Sequence, residues 1–219
     1  MVYFVTAKGT TEFVVNSKLP GMPEDNGFGG VTYEADPETL DLNVLEREYY
    51  SKGNGAMQHG YRVNSDKMPK VMLWPGGDNA PPEVIMHNCL AVSPRFRDLV
   101  EQFEPGVHQF FPVDIYKDMN NDPFATYYWI NVCNRIDSIN AEKTNFKWTL
   151  DYTGKNGFWD DFGVQDPKMM FSTEKTKNFH LWVDPNILQF RHFYVSNAFA
   201  DAAGAANFLG LALSEREEA

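Results

Sequence analysis

The sequence predicts an α+β fold, mostly antiparallel sheet with two main helices, at about residues 93–104 and 196–208, packed against it. Three observations predict it. Ser93-Pro94 opens a run in which Phe96, Leu99, Val100 and Phe103 recur at i, i+3, i+4 and i+7, and Pro105-Gly106 closes it. Residues 126–137 alternate instead, with Tyr128, Ile130 and Val132 on one face and Tyr127, Trp129 and Asn131 on the other. A second serine, Ser196, precedes Phe199, Ala202, Ala203 and Ala206, a narrow stripe suited to close packing.

In chain order, residues 2–6 and 12–15 read as short strands around the turn-prone Lys8-Gly9-Thr10-Thr11. A Gly/Pro-rich loop follows over 21–32, then weak strand signals at 61–63 and 71–74. Pro75-Gly76-Gly77-Asp78-Asn79-Ala80-Pro81-Pro82 divides a β-rich lobe, residues 1–84, from a main domain, residues 85–219. Residues 85–92 form an approach strand into Ser93, which caps its helix while Pro94 takes the first helical position, where no N–H is needed. The chain from Phe110 to Tyr116 is extended. Residues 146–152 form a strand, Lys155-Asn156-Gly157 a hairpin turn, and 179–183 and 190–195 further strands. The phrase Val-Ser-x-x-Phe-x-Asp starts at Val92 and again at Val195, 103 residues apart. The shared capping needs of two strand-to-helix junctions account for it, and no repeat is read.

A chain of 219 residues with 43% apolar content buries a sizeable core without staples. No run of 18 apolar residues occurs, and Met1 to Lys8 has no basic segment ahead of an apolar one, so neither a membrane span nor a secretory signal is expected. Cys89 and Cys133 read as buried free thiols in a reducing cytoplasm. The net charge of −11 argues against direct binding to nucleic acid and suits a basic protein partner. Eight acids, Glu24, Asp25, Glu34, Asp36, Glu38, Asp41, Glu46 and Glu48, face one base, Arg47, within 24–48. Such a run is ordinarily a solvated face; the functional reading is a docking surface.

Catalytic signals are weak. There is no Gly-x-Ser-x-Gly elbow, and Ser93 and Ser196 are explained as caps. His87, Cys89 and Cys133 lack metal-site spacing, and the glycines at 27–30 and 76–77 lack a following Lys-Ser/Thr, so no metal and no cofactor is predicted. Phe158-Trp159-Asp160-Asp161-Phe162-Gly163 is an aromatic and acidic knob, readable as an anchored loop or as an interface hot spot. His108 reads as an imidazole fixing the helix-to-strand junction rather than as a base.

The stretch Ser93-x-x-Phe96-x-Asp98-Leu99-Val100-Glu101-x-x-Glu104-Pro105-x-x-His108-Gln109-Phe110-x-Pro112-Val113 resembles the core of an immunity-protein family of bacterial polymorphic toxin systems, the one numbered eleventh. Residues 127–137 and 179–213 fit the same resemblance, which spans about 90–213 and matches the first ninety residues loosely. It marks Ser93, Phe96, Asp98, Glu101, Pro105, His108, Phe110, Pro112, Ser196 and Phe199 as family-motif positions with structural roles. It implies a cytoplasmic, non-enzymatic protein that binds a cognate toxin domain and occludes its active site, without touching nucleic acid or membrane. The expected docking residues are Glu34, Asp36, Glu38, Asp41, Trp159, Asp160 and Asp161, and a basic nuclease would complement their charge. Two alternatives stay open. One is a small-molecule or glycan-binding protein with an aromatic groove, the other an enzyme with titratable groups gathered around His108, His192 and Asp114.

Overall fold

The computed structural model describes residues 1–7, 28, 31–36, 39–40, 56–57, 59–64, 66–74, 80–86, 89–117, 122–150, 154, 157–187 and 193–219. They build twelve strands and three helices. In order these are β1 (Val2–Ala7), β2 (Val71–Leu73), β3 (Val84–Met86), β4 (Leu90–Val92), α1 (Pro94–Phe103), β5 (Gln109–Tyr116), β6 (Ala125–Asn131), β7 (Lys147–Leu150) and β8 (Gly157–Asp160). Then come β9 (Met170–Phe171), α2 (Thr173–Thr176), β10 (Leu181–Trp182), β11 (Tyr194–Ser196), α3 (Asn197–Ala206) and β12 (Leu211–Glu218). The α+β class and the two main helices are as predicted, and α2 is a short addition. The strand expected at 12–15 lies outside the described residues, as do Glu38, Asp41, His87 and His192.

One five-stranded sheet has the order β2-β5-β6-β4-β3 and the other the order β9-β12-β1-β11-β10. All neighbours are antiparallel except β2 with β5 and β9 with β12. Strands from both sides of residue 84 share each sheet, since β1 lies centrally between β11 and β12, and β2 borders β5. Residues 85–92 are two strands rather than one: β3 and β4 fold back on each other, with Val84 opposite Val92.

The alternation of β6 explains its central position. Tyr127 and Trp129 face one core, with Phe28, Val31, Tyr33, Met57, Val63, Ile85, Phe111 and Val113. Tyr128 and Ile130 face a second, between the sheets, where Val5, Val92, Phe96, Val100, Leu181, Val195, Phe199 and Ala203 meet. Beyond the other sheet, Val2, Phe4, Phe171, Trp182 and Tyr194 pack with Ile139, Ile187 and Trp159 in a third. Both sheets are therefore covered on both faces, and both helices contribute to the middle layer.

The helices are seated by the predicted caps. Ser93 Oγ accepts the Phe96 N–H and Ser196 Oγ the Phe199 N–H, each at 3.2 Å, from backbone at φ −67°. Phe96 is fully buried and meets Phe199 at 6.0 Å, an edge-on pair worth about 1 kcal/mol beyond its area. Arg95 clamps the far end. It forks onto Glu83 at 2.8 and 3.0 Å, bonds the Ala206 carbonyl and lies 4.4 Å over the Phe208 ring.

Two loops depend on single residues. At Gly60 φ is +79°, and a Cβ there would stand 2.7 Å from Arg135 Cβ and from Val183 Cγ2. The Arg135 side chain meanwhile bonds the His59 carbonyl at 2.9 Å and covers the Tyr61 ring. Buried Asp184 holds the other loop, accepting Ser138 N–H and O–H at 2.7 Å each and Asn186 N–H at 2.9 Å. Burial outweighs these bonds and raises its pKa to about 6.

Gly60→Ala should lose about 2–4 kcal/mol in urea unfolding, since left-handed strain and overpacking add. Asp184 binds its proton more tightly folded than unfolded, so its contribution is full below about pH 4 and is lost as pH rises through 6. The stability difference between wild type and Asp184→Asn should therefore fall by roughly 2–3 kcal/mol from pH 4 to 7, followed by chemical unfolding at stepped pH.

Candidate functional site

The knob expected at 158–163 is the second half of a hairpin. β7 and β8 pair antiparallel, with Trp148 opposite Trp159 and Leu150 opposite Gly157. The indoles meet edge-on at 5.1 Å. Residues 157 and 159 share a face, and a Cβ on Gly157 would collide with the Trp148 ring, so the glycine is what lets that indole lie flat on the strand. Trp159 is the anchor, packing on the third core while its backbone N–H bonds the Asn186 carbonyl at 2.7 Å. The turn that follows β8 is shaped by Asp160, whose Oδ1 accepts the Phe162 N–H at 2.9 Å, and by Gly163 at φ +69°. The base is tied by Asn145, which exchanges bonds with the Lys168 backbone at 2.6 and 3.1 Å.

Trp148 is 47%, Leu150 55% and Phe162 84% exposed, two large apolar side chains on β7 and one in the turn after β8. Sequence reasoning named Trp159 and, within the same knob, Phe162, and missed Trp148 and Leu150. The hairpin turn signal located the element, but Trp148 and Trp159, opposite each other on one face, differ in exposure because only Trp159 reaches the third core. Asp160 and Asp161 immediately precede Phe162, so the aromatic and acidic residues of the knob lie together here.

The other docking candidates lie elsewhere. Glu34 is exposed, yet its carboxylate accepts Gln109 Nε2 at 2.9 Å and pairs with Arg62 at 3.3 Å. The Asp36 carbonyl accepts both Thr39 N–H and O–H. Glu34 follows Tyr33, which belongs to the first core, whereas Trp159 packs on the third. Two sheets and the middle core stand between them, so Glu34 and the hairpin occupy opposite outer faces. They do not form one patch.

The motif residues converge on the end of α1. Glu104 caps the helix, its N–H bonding the Val100 carbonyl, while Glu101 Oε2 accepts the Gly106 N–H at 3.0 Å after Pro105 has ended the turn. Glu104 is buried, and its carboxylate accepts His108 Nε2 at 2.5 Å, His180 N–H at 2.7 Å and Leu181 N–H at 3.2 Å. Burial alone would raise its pKa; the hydrogen bonds from His108 and the two N–H groups outweigh it and hold the carboxyl below the ordinary range. His108 Nδ1 accepts the Cys133 N–H at 3.1 Å, which leaves the ring proton on Nε2, pointing at Glu104. Both ring nitrogens are thus engaged, and Asp114 lies six residues along the strand, about 20 Å away. His108 and Asp114 do not form the cluster that an enzyme alternative needs. Asp114 instead accepts Thr126 Oγ1 at 2.7 Å and borders an open groove of about 380 Å³ with Asp66, Lys70 and Phe111.

Gln109, next in the phrase, is the residue whose role no local pattern showed. Its amide pairs with Val63 N–H at 2.9 Å and Val63 carbonyl at 3.1 Å, and its Oε1 accepts Asn131 Nδ2 at 2.8 Å. It thereby sews segment 61–63 to the sheet. Asp98 bonds Arg97, whose guanidinium covers Tyr128 at 4.4 Å, and Phe110 meets the same ring edge-on at 6.4 Å. The Asp114 N–H bonds the Lys70 carbonyl; two residues earlier Pro112 points its missing N–H to the same side, where β2 has not begun. Cys89 packs against Met57, and both cysteines are free thiols; burial raises the Cys133 pKa to about 11, the state of an unactivated thiol.

Glu104→Ala should cost about 3 kcal/mol by stranding His108 and two backbone donors. Because the carboxyl is depressed in the fold, its contribution is present above about pH 4.5 and is lost as pH falls. Acid unfolding monitored by circular dichroism should accordingly be blunted in Glu104→Gln, from a lower starting stability.

The sequence comparisons bear on the same residues. No curated protein matches the chain. The model of an immunity protein family, Imm11, matches residues 30–218, which takes in the clamp, the hairpin and, beyond the span of the motif resemblance, the segment around Tyr33 and Gln109's partner Val63. With a match over most of its length, from ahead of Tyr33 to the last residues of β12, the chain belongs to the immunity protein family Imm11.

Proposed function

We propose that this protein is the immunity partner of a secreted bacterial toxin, which it binds in the cytoplasm of the producing cell and neutralises by occluding the active site. The observation that carries this reading is the family match over residues 30–218. The β7–β8 hairpin supports it as the contact surface. Trp148 and Phe162 are the large aromatic type that dominates interface centres, and Asp160 and Asp161 rim them with negative charge. A net charge of −11 favours a basic toxin surface, and the nucleic-acid groove of a nuclease fits that description. The segment bearing Glu34, Asp36, Glu38 and Asp41 is the lesser contact in this reading, because Glu34 already serves Arg62 and Gln109.

The test is co-expression with the toxin domain encoded beside this chain, read as growth rescue and as pull-down of a complex. Wild type should rescue. Trp148→Ala should weaken capture 10- to 100-fold, and Phe162→Ala similarly; Phe162→Ala should leave the melting temperature unchanged because its ring faces solvent, and Trp148→Ala should lower it by about 2–4 °C through loss of the edge-on contact with Trp159. Glu34→Gln should leave capture within about threefold. Rescue without physical association would refute occlusion.

A further inference from the structure

The two five-stranded sheets agree in more than strand count. Superposing the capped junctions sets Val92 on Val195, and every other pairing then follows twice. Val92 lies opposite Val84 in one sheet, and Val195 opposite Leu181 in the other. On the opposite flank Val92 faces Tyr128, and Val195 faces Tyr3. Tyr128 in turn faces Pro112, and Tyr3 faces Glu215. Two residues on, Asp114 and Glu217 meet the parallel strands at Val71 and Met170. From Ser93 to Asp114 and from Ser196 to Glu217 the chain runs the same length without insertion. A one-residue slip at any step would turn side chains to the wrong face and break the series.

Contacts across the middle core repeat as well. Ser93 N–H bonds the Glu83 carbonyl at 2.8 Å, and Ser196 N–H the His180 carbonyl at 3.0 Å. After α1, the Glu104 carboxylate receives the N–H groups of His180 and Leu181 at 2.7 and 3.2 Å. After α3, the Leu209 carbonyl receives those of Glu83 and Val84 at 2.7 and 3.3 Å. The two contacts are reciprocal, and the equivalent Phe96 and Phe199 meet between them. Shared capping preferences explain two serines; they do not explain matching register through all five strands.

The order along the chain identifies the unit. With the β7–β8 hairpin and the short α2 set aside as additions to the second half, β1, β2, β3, β4, α1, β5 is followed by β6, β9, β10, β11, α3, β12, the same series twice. In each copy the first strand sits in the other copy's sheet: β1 between β11 and β12, β6 between β4 and β5. We infer that the chain is a tandem duplication, residues 1–117 and 122–219, whose two repeats bind each other by exchanging their first strands. Each repeat carries a slot between its pre-helix and post-helix strands, and the occupant is the first strand of its sister. The segment after β1, with Glu34 and Asp36, and the segment after β6, with the hairpin, are then equivalent coverings of the two outer faces.

A protease site inserted between Lys117 and Asp122 of the full chain, in a Cys89→Ala/Cys133→Ala background, tests this. After complete cleavage the halves should elute together at the mass of the 25.0 kDa chain. Adding Tyr3→Cys with Glu215→Cys should join the cleaved halves covalently on oxidation, since facing residues of neighbouring strands lie within disulfide reach. Tyr3→Cys with Pro112→Cys, the pair an unexchanged first strand would align, should give none. Separation of the cut halves into two folded monomers, cross-linking of the second pair, or cross-linking of neither would each overturn the exchange.

Discussion

A buried carboxylate needs its oxygens satisfied by donors, and the arrangement of this molecule follows from how Glu104 meets that demand. Its three donors come from two places: His108 in the turn that follows its own helix, and the N–H groups of His180 and Leu181 at the entry to β10 in the opposite sheet. The histidine that donates is itself oriented by a backbone N–H just beyond β6. Removing any one element would leave an anion or its donors uncompensated in a low-dielectric layer. The carboxylate therefore enforces the docking of the sheets against each other, which apolar packing alone would specify loosely.

The local grammar was legible for physical reasons. Ser93 and Ser196 cap because a hydroxyl can reach the third N–H onward, and that geometry needs only adjacent residues. The alternation through 126–137 showed a strand with apolar groups on both faces, and β6 is indeed central. What stayed hidden was non-local. Nothing in Val2–Ala7 says that it pairs with residues near the far end of the chain, and nothing in Gln109 says that its amide will copy a peptide group for Val63. The acidic run looked like one uniform surface because composition cannot show that Arg62 and Gln109 reach back to Glu34.

The same limit applied to the candidate site. Trp159 and its aspartates could be picked out as an aromatic and acidic cluster, but how much of each ring stays exposed depends on where the two-stranded ribbon meets the core. Trp159 reaches the third core and becomes the anchor, while Trp148, opposite it on the same face, stays 47% exposed. The doubled Val-Ser-x-x-Phe-x-Asp phrase was read as two similar junctions; the pairing register is what distinguishes common ancestry of the halves from common chemistry.

The flat seat of Trp148 on Gly157 governs the kinetics of any encounter at that surface. Ordinarily a large exposed ring samples several rotamers, and a partner must wait for, or impose, the productive one. Here a missing methyl group and a neighbouring indole confine it beforehand. The entropy of ordering is spent during folding rather than at association, so a complex formed here should be long-lived without needing a large contact area.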